Sequence, residues 1–211
     1  MKEHKQAMLL YLVTDRAWLG EQALSQQVEQ AIQGGVTCVQ LREKNMADAD
    51  FLNLAKEIKL ITDRYKIPFI INDNVDVAIA VNADGVHVGQ SDMRASNVRA
   101  RIGDKIVGVS AQTVEQAVYA EQCGASYIGV GAVFSTTTKL DANTLSLETL
   151  SHICKAVSIP VVAIGGINAQ NIAQLKGSGI DGVAVVSAIL AQKDILEATK
   201  GMRILAEGVI A

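Results

Sequence analysis

Proline occurs only twice in this chain of 211 residues, at Pro68 and Pro160, and aromatic side chains make up 4% of it. So few aromatics argue against an aromatic-rich β-sandwich and against a surface that stacks nucleic-acid bases. Cysteine is scarce and odd in number, with Cys38, Cys123 and Cys154 each in an apolar stretch. That usage fits buried, reduced thiols in a cytoplasmic protein and leaves cysteine chemistry out of the expected function. An excess of either charge is missing too, since 19 basic residues stand against 22 acidic ones for a net of −3. There is no general footprint for nucleic acid or an anionic membrane, so any anion must be gripped locally. No apolar run reaches the roughly 18 residues of a membrane span. The opening MKEHKQAMLLYLVTD has too short an apolar run for a secretory signal and no cleavage site.

What the chain does have is a 49% hydrophobic composition and 17 glycines. That is enough apolar material for one substantial core, which excludes disorder. Short β-branched runs recur at 9–13, 36–41, 67–71, 84–88, 105–109, 126–130, 159–164 and 181–186. Each is almost continuously apolar, as strands covered on both faces are. Between them lie segments of helical spacing. Ala23, Leu24, Val28, Ala31 and Ile32 share one face before Gly34-Gly35, and Phe51, Leu54, Ala55, Ile58 and Ile61 share another before Pro68. Further helices are expected over about 113–123, with Thr113 and Gln116 spaced as a capping box, over 146–157 and over 168–176. Eight strands alternating with helices imply a parallel sheet with right-handed crossovers, and the count favours closure. The expected fold is a single-domain (β/α)8 TIM barrel over 1–211, near the minimal length for that fold, with short helices around 75–81 and 96–101.

A barrel carries its chemistry on the C-terminal ends of its strands. Polar residues gather there: Thr14-Asp15, then Gln40 to Lys44, Asn72-Asp73, His87 with Gln90 and Asp92, Ser110, Ser135 to Lys139, Gly165-Gly166 and Ser187. In VQLREK, Gln40, Arg42 and Lys44 stand two apart, so an extended backbone points them the same way. Two cations and an amide on one face can chelate an oligophosphate; the same residues also fit a solvated loop in which Arg42 pairs with Asp15 or Glu43. Asp73 and Asp92 offer hard oxygens for Mg2+, although Asp73 and Asn74 are also placed to cap the next helix. His87, inside an apolar strand, reads as a satisfied core residue or a supporting donor rather than a catalytic group. In GAVFSTTTK, four hydroxyls lead to Lys139, a run able to wrap an anion. Gly165-Gly166, Val186 and Ser187 resemble a barrel phosphate site, with a short helix starting near Ser187.

The ordered set YLVTD (11–15), VQLREK (39–44), INDN (71–74), GVHVGQSD (85–92), GVSAQT (108–113), GVGAVFSTTTK (129–139), VAIGGIN (162–168) and GVAVVSAI (182–189) resembles the thiamine-phosphate synthase (thiamine-phosphate pyrophosphorylase) family. The likeness runs from about residue 9 to 190. It implies a Mg2+-dependent transferase of thiamine biosynthesis on a (β/α)8 barrel. Such an enzyme condenses 4-amino-2-methyl-5-(diphosphooxymethyl)pyrimidine with a thiazole phosphate, or its carboxylated form, and releases diphosphate by dissociative substitution. By the same resemblance, Gln40, Leu41, Arg42, Glu43, Lys44, Asn72, Ser110 and Lys139 hold the pyrimidine diphosphate, with Arg42, Lys44, Ser110 and Lys139 taking catalytic parts. Asp73 and Asp92 hold Mg2+, and Thr136, Thr137, Thr138, Gly166, Val186 and Ser187 hold the thiazole phosphate. Here Ser135 and Thr137 occupy a loop where the family often has proline. The partners expected are small phosphorylated substrates, in the cytoplasm, with no nucleic acid or membrane and with oligomeric state unreadable. Two other readings remain: a thiazole tautomerase of the same superfamily, and a non-catalytic phosphate-binding barrel.

Overall fold

A computed structural model of the chain describes residues 2–89, 95–135 and 144–210, with side chains from residue 5 onward. Eight parallel strands close on themselves: β1 (Leu10–Val13), β2 (Cys38–Leu41), β3 (Phe69–Asn72), β4 (Gly85–Val88), β5 (Ile106–Ala111), β6 (Tyr127–Val130), β7 (Val161–Ile164) and β8 (Gly182–Val185). The last returns to the first, Tyr11 standing opposite Ala184. Around them run α1 (Lys2–Ala7), α2 (Leu24–Gly34), α3 (Asp48–Tyr65), α4 (Val75–Ala80), α5 (Ala95–Ile102), α6 (Val114–Gln122), α7 (Leu147–Ala156), α8 (Ser187–Leu190) and α9 (Ile195–Ile210). The expected barrel is therefore present, and its brevity shows in α4, with 6 residues, and α5, with 8.

The period of two along each strand divides the core in two. Leu10, Leu12, Val39, Leu41, Phe69 and Ile71 face outward into the layer between strands and helices. Tyr11, Val13, Cys38, Ile70, Tyr127 and Val162 face inward. Met8, fully buried, belongs to this inner group, and Ala7 at the end of α1 packs against it, so the barrel is filled from below. Gly108 on β5 is what admits Tyr127: a Cβ there would overlap the phenol ring.

Several elements depart from the sequence pattern. The helix expected over 168–176 is only a 3-10 turn at Ile172–Leu175, because the chain is first spent on an Asn168–Asn171 turn. The capping box at α6 is half-formed: Thr113 Oγ1 accepts from the Gln116 N–H at 3.2 Å, but Gln116 Oε1 accepts from Gln112 instead of Thr113. The long helix α9 was not read from the sequence, although Ile195, Thr199, Met202, Ala206 and Val209 form its buried stripe. Gly201 and Gly208 interrupt its helical propensity, yet they lie on its open side, where a Cβ would meet nothing. Of the three thiols, all free, only Cys38 is fully buried; Cys123 ends α6 and Cys154 lies on α7, both half-buried. Burial raises the Cys154 thiol to about 11 and pushes Cys38 higher still, so neither supplies a thiolate near neutral pH.

Candidate active site

A cavity of about 480 Å3 opens at the C-terminal mouth of the barrel, within the range that small-molecule sites occupy. Gln40, Arg42 and Lys44 all line it, as their alternation requires. Thr14 pins the backbone where β2 ends: Thr14 N–H donates to Gln40 O at 2.9 Å, and Thr14 Oγ1 accepts from Arg42 N–H at 3.0 Å. Leu41 and Glu43, the alternate members, turn away from the cavity. Leu41 is fully buried in the outer layer, and Glu43 Oε2 accepts from Arg16 Nε at 2.9 Å. Asp15 caps the 3-10 turn at Arg16–Trp18 by accepting from Ala17 N–H. Both acids that could have neutralised Arg42 thus have other partners, and among the described residues Arg42 and Lys44 form no ion pair.

At β3 the two readings of the acidic pair separate. Asn74 caps α4, its Oδ1 accepting from Val77 N–H at 2.9 Å. Asp73 is spared that task and sits at the cavity with φ of 62°, a left-handed conformation that non-glycine residues adopt rarely. Its Oδ2 accepts from Asn72 Nδ2 at 2.6 Å, and Asn72 itself is nearly buried. Asn74→Ala is expected to cost about 1 kcal/mol of stability, which unfolding curves would check.

Gly165 and Gly166 both take positive φ, 101° and 65°, and line the cavity with Val186 and Ser187. They also serve the neighbouring loop, since Val133 and Phe134 donate to Ile164 O and Gly165 O at 3.0 Å each. A Cβ on Gly165 would lie 2.5 Å from that of Ala132. The double glycine is needed for packing as well as for backbone access. Ser187 begins α8, as expected, which is a single turn.

Sequence reasoning missed two tyrosines of the cavity. Tyr11 and Tyr127 line it with His87, and the three join Gln40 to Ser110 through hydrogen bonds of 2.8–3.0 Å. The available signal was parity: Tyr11 and Tyr127, two of only four tyrosines, fall on the same inward alternation as Gln40 and His87. Five expected site residues, Asp92, Thr136, Thr137, Thr138 and Lys139, lie outside the described residues, as does Gln90.

The family described as thiamine monophosphate synthase matches residues 10–189, nearly the whole barrel. The chain belongs to that family. It is 60% identical to a thiamine-phosphate synthase of Ruminiclostridium cellulolyticum over 187 residues, covering 88% of this chain and 89% of that protein. With a thiamine-phosphate synthase of Enterococcus faecalis it shares 47% identity over 207 residues, 98% of each. A thiamine phosphate pyrophosphorylase structure from Pyrococcus furiosus superposes with a TM-score of 0.92 at 38% identity, covering 99% of this chain and 100% of that one. Membership of the thiamine monophosphate synthase family makes the chain an enzyme, a transferase of thiamine biosynthesis. Among the described residues, no helix is long and apolar enough to cross a membrane.

Proposed function

We propose that this mouth joins 4-amino-2-methyl-5-(diphosphooxymethyl)pyrimidine to a thiazole phosphate, giving thiamine phosphate and diphosphate, or to its carboxylated form, giving CO2 as well. The observation that carries the reading is that two unlike sets of groups, each suited to an anion, line one cavity. Arg42 and Lys44 form a cationic grip after β2, while Gly166, Val186 and Ser187 offer backbone and hydroxyl donors after β7 and β8. The first suits a diphosphate and the second a monophosphate. A tautomerase of thiazole phosphate would need only the second.

The residues fit Mg2+. Asp73 presents an exposed carboxylate oriented by Asn72 at the cavity, and this ion is commonly held by one or two carboxylates together with substrate phosphates. Asp73, with Asp92, would hold the ion, whose charge would neutralise the diphosphate. Arg42 and Lys44 then stabilise the charge that grows on the leaving oxygen as the carbon–oxygen bond breaks and its electron pair departs with the diphosphate. The electron-rich pyrimidine disperses the positive charge left on the methylene carbon. The thiazole nitrogen, placed by its phosphate, donates its lone pair to that carbon and completes the carbon–nitrogen bond. No side chain has to act as a nucleophile; the protein positions and stabilises. Lys139 and the hydroxyls of Thr136, Thr137 and Thr138 belong to the same reading, as further donors to the two anions. The cytoplasm is the compartment this reading assumes.

The test is a coupled assay with both substrates, with and without Mg2+. Equal yields of thiamine phosphate and diphosphate, abolished by chelation, are expected. Isomerised thiazole phosphate with no diphosphate would replace this reading with the tautomerase one. Asp73→Asn is expected to raise the Mg2+ concentration needed for half-maximal rate by roughly tenfold, with the fold intact by circular dichroism.

A further inference from the structure

Five side chains from five strands are strung across the barrel interior. Gln40 Nε2 donates to the Tyr11 hydroxyl at 3.0 Å, and the Tyr11 and Tyr127 hydroxyls lie 2.8 Å apart. The Tyr127 hydroxyl is 2.8 Å from His87 Nδ1, and His87 Nε2 is 2.9 Å from Ser110 Oγ. Each hydroxyl has one proton and a neutral imidazole has one N–H, so donors and acceptors must follow one another in a single direction. In one direction the Gln40 amide nitrogen donates to Tyr11, Tyr11 to Tyr127 and Tyr127 to Nδ1, which leaves Nε2–H to donate to Ser110. In the other, Ser110 donates to Nε2, Nδ1–H to Tyr127, Tyr127 to Tyr11 and Tyr11 to the Gln40 carbonyl. A mixed order leaves two protons or two lone pairs facing each other at one link. Both tyrosines are only 1% exposed, so such a fault would lie where water cannot repair it. Burial also holds both phenols protonated far into alkaline pH, which keeps the string intact.

The two ends of the string face the cavity, and its direction decides what they present. We propose that Tyr11 and Tyr127 are positioning residues that set substrate specificity, because they hold the Gln40 amide with Oε1 toward the cavity and simultaneously direct His87 Nε2–H onto Ser110. Gln40 then accepts from a ring amino group and rejects a ring carbonyl in the same place. At the other end, His87 Nε2–H donates to the Ser110 oxygen. Reading of the ring and the His87 tautomer become one setting. The substrate half of this inference rests on the pyrimidine diphosphate reading above; the direction of the string does not.

Two measurements test it. The ratio of kcat/KM for the amino pyrimidine diphosphate over its oxo analogue is compared in the unaltered protein and in Tyr11→Phe, a replacement that keeps the ring and does not touch His87. The ratio is expected to fall at least tenfold as the amide becomes able to turn. In parallel, 15N NMR of the substrate-free protein at a pH of about 8.5, where imidazole is neutral, reads the His87 tautomer. The proton is expected on Nε2 in the unaltered protein and distributed over both nitrogens in Tyr11→Phe. Gln40→Glu, which offers Tyr11 only acceptors, is expected to reverse the string and move the proton to Nδ1. That variant keeps the test available if Tyr11→Phe does not fold. An unchanged ratio, or a tautomer that ignores both substitutions, overturns the proposal. The NMR result needs no turnover, so it fails or stands separately from the reading of the reaction.

Discussion

Gly108→Ala is expected to destabilise the barrel by on the order of 3 kcal/mol, lowering the thermal midpoint of a chain this size by roughly 6–12 °C. The added methyl would overlap the Tyr127 ring, and the ring has nowhere to go. Its hydroxyl is tied to Tyr11 on one side and His87 on the other, and both of those rings lie tilted to it, with centroids 5.8 and 5.5 Å away. Close-packed interiors do not absorb a methyl by yielding everywhere a little. Either the β5–β6 register opens or Tyr127 leaves its partners. Thermal unfolding by circular dichroism checks the prediction, and a midpoint within about 2 °C of the unaltered protein would mean that the ring is far less constrained than its contacts indicate.

Arg42→Ala is expected to leave stability nearly unchanged and to cut kcat/KM for the pyrimidine diphosphate about 100- to 1,000-fold. Stability survives because Arg42 has no ion pair among the described residues, and because Thr14 fixes its backbone rather than its side chain. Activity does not survive because a guanidinium bidentate to a diphosphate supplies two charge-assisted bonds where charge grows in the transition state. The KM for the thiazole phosphate should barely move. Lysine at position 42 should restore only part of the rate, since it supplies the charge without the fork. Steady-state kinetics with each substrate varied in turn separates these effects. A uniform loss for both substrates would place Arg42 in general scaffolding.

Much of this could be read from the sequence because barrel strands advertise themselves as short apolar runs, and because strand parity carries Gln40, Arg42 and Lys44 to one side without any knowledge of the fold. The same parity should have separated Leu41 and Glu43 from their neighbours; a motif read as a block hid it. What escaped depended on contacts between distant strands. Nothing near Asp73 announces that Asn74 takes the cap and releases the aspartate to the cavity. Nothing near Gly108 announces a phenol ring from the next strand. His87, expected as a satisfied core residue or a supporting donor, bonds through both ring nitrogens, lines the cavity and links two of its polar walls. The helix α9 was obscured by glycines whose cost is borne on an open face, where burial of the opposite stripe outweighs it.

The plug formed by Met8 beneath the inner tyrosine layer governs traffic. A barrel stoppered at one end is a vessel with a single opening, so both substrates and both products use the same passage. The shared passage is thus imposed by a methionine on the side of the barrel remote from the chemistry.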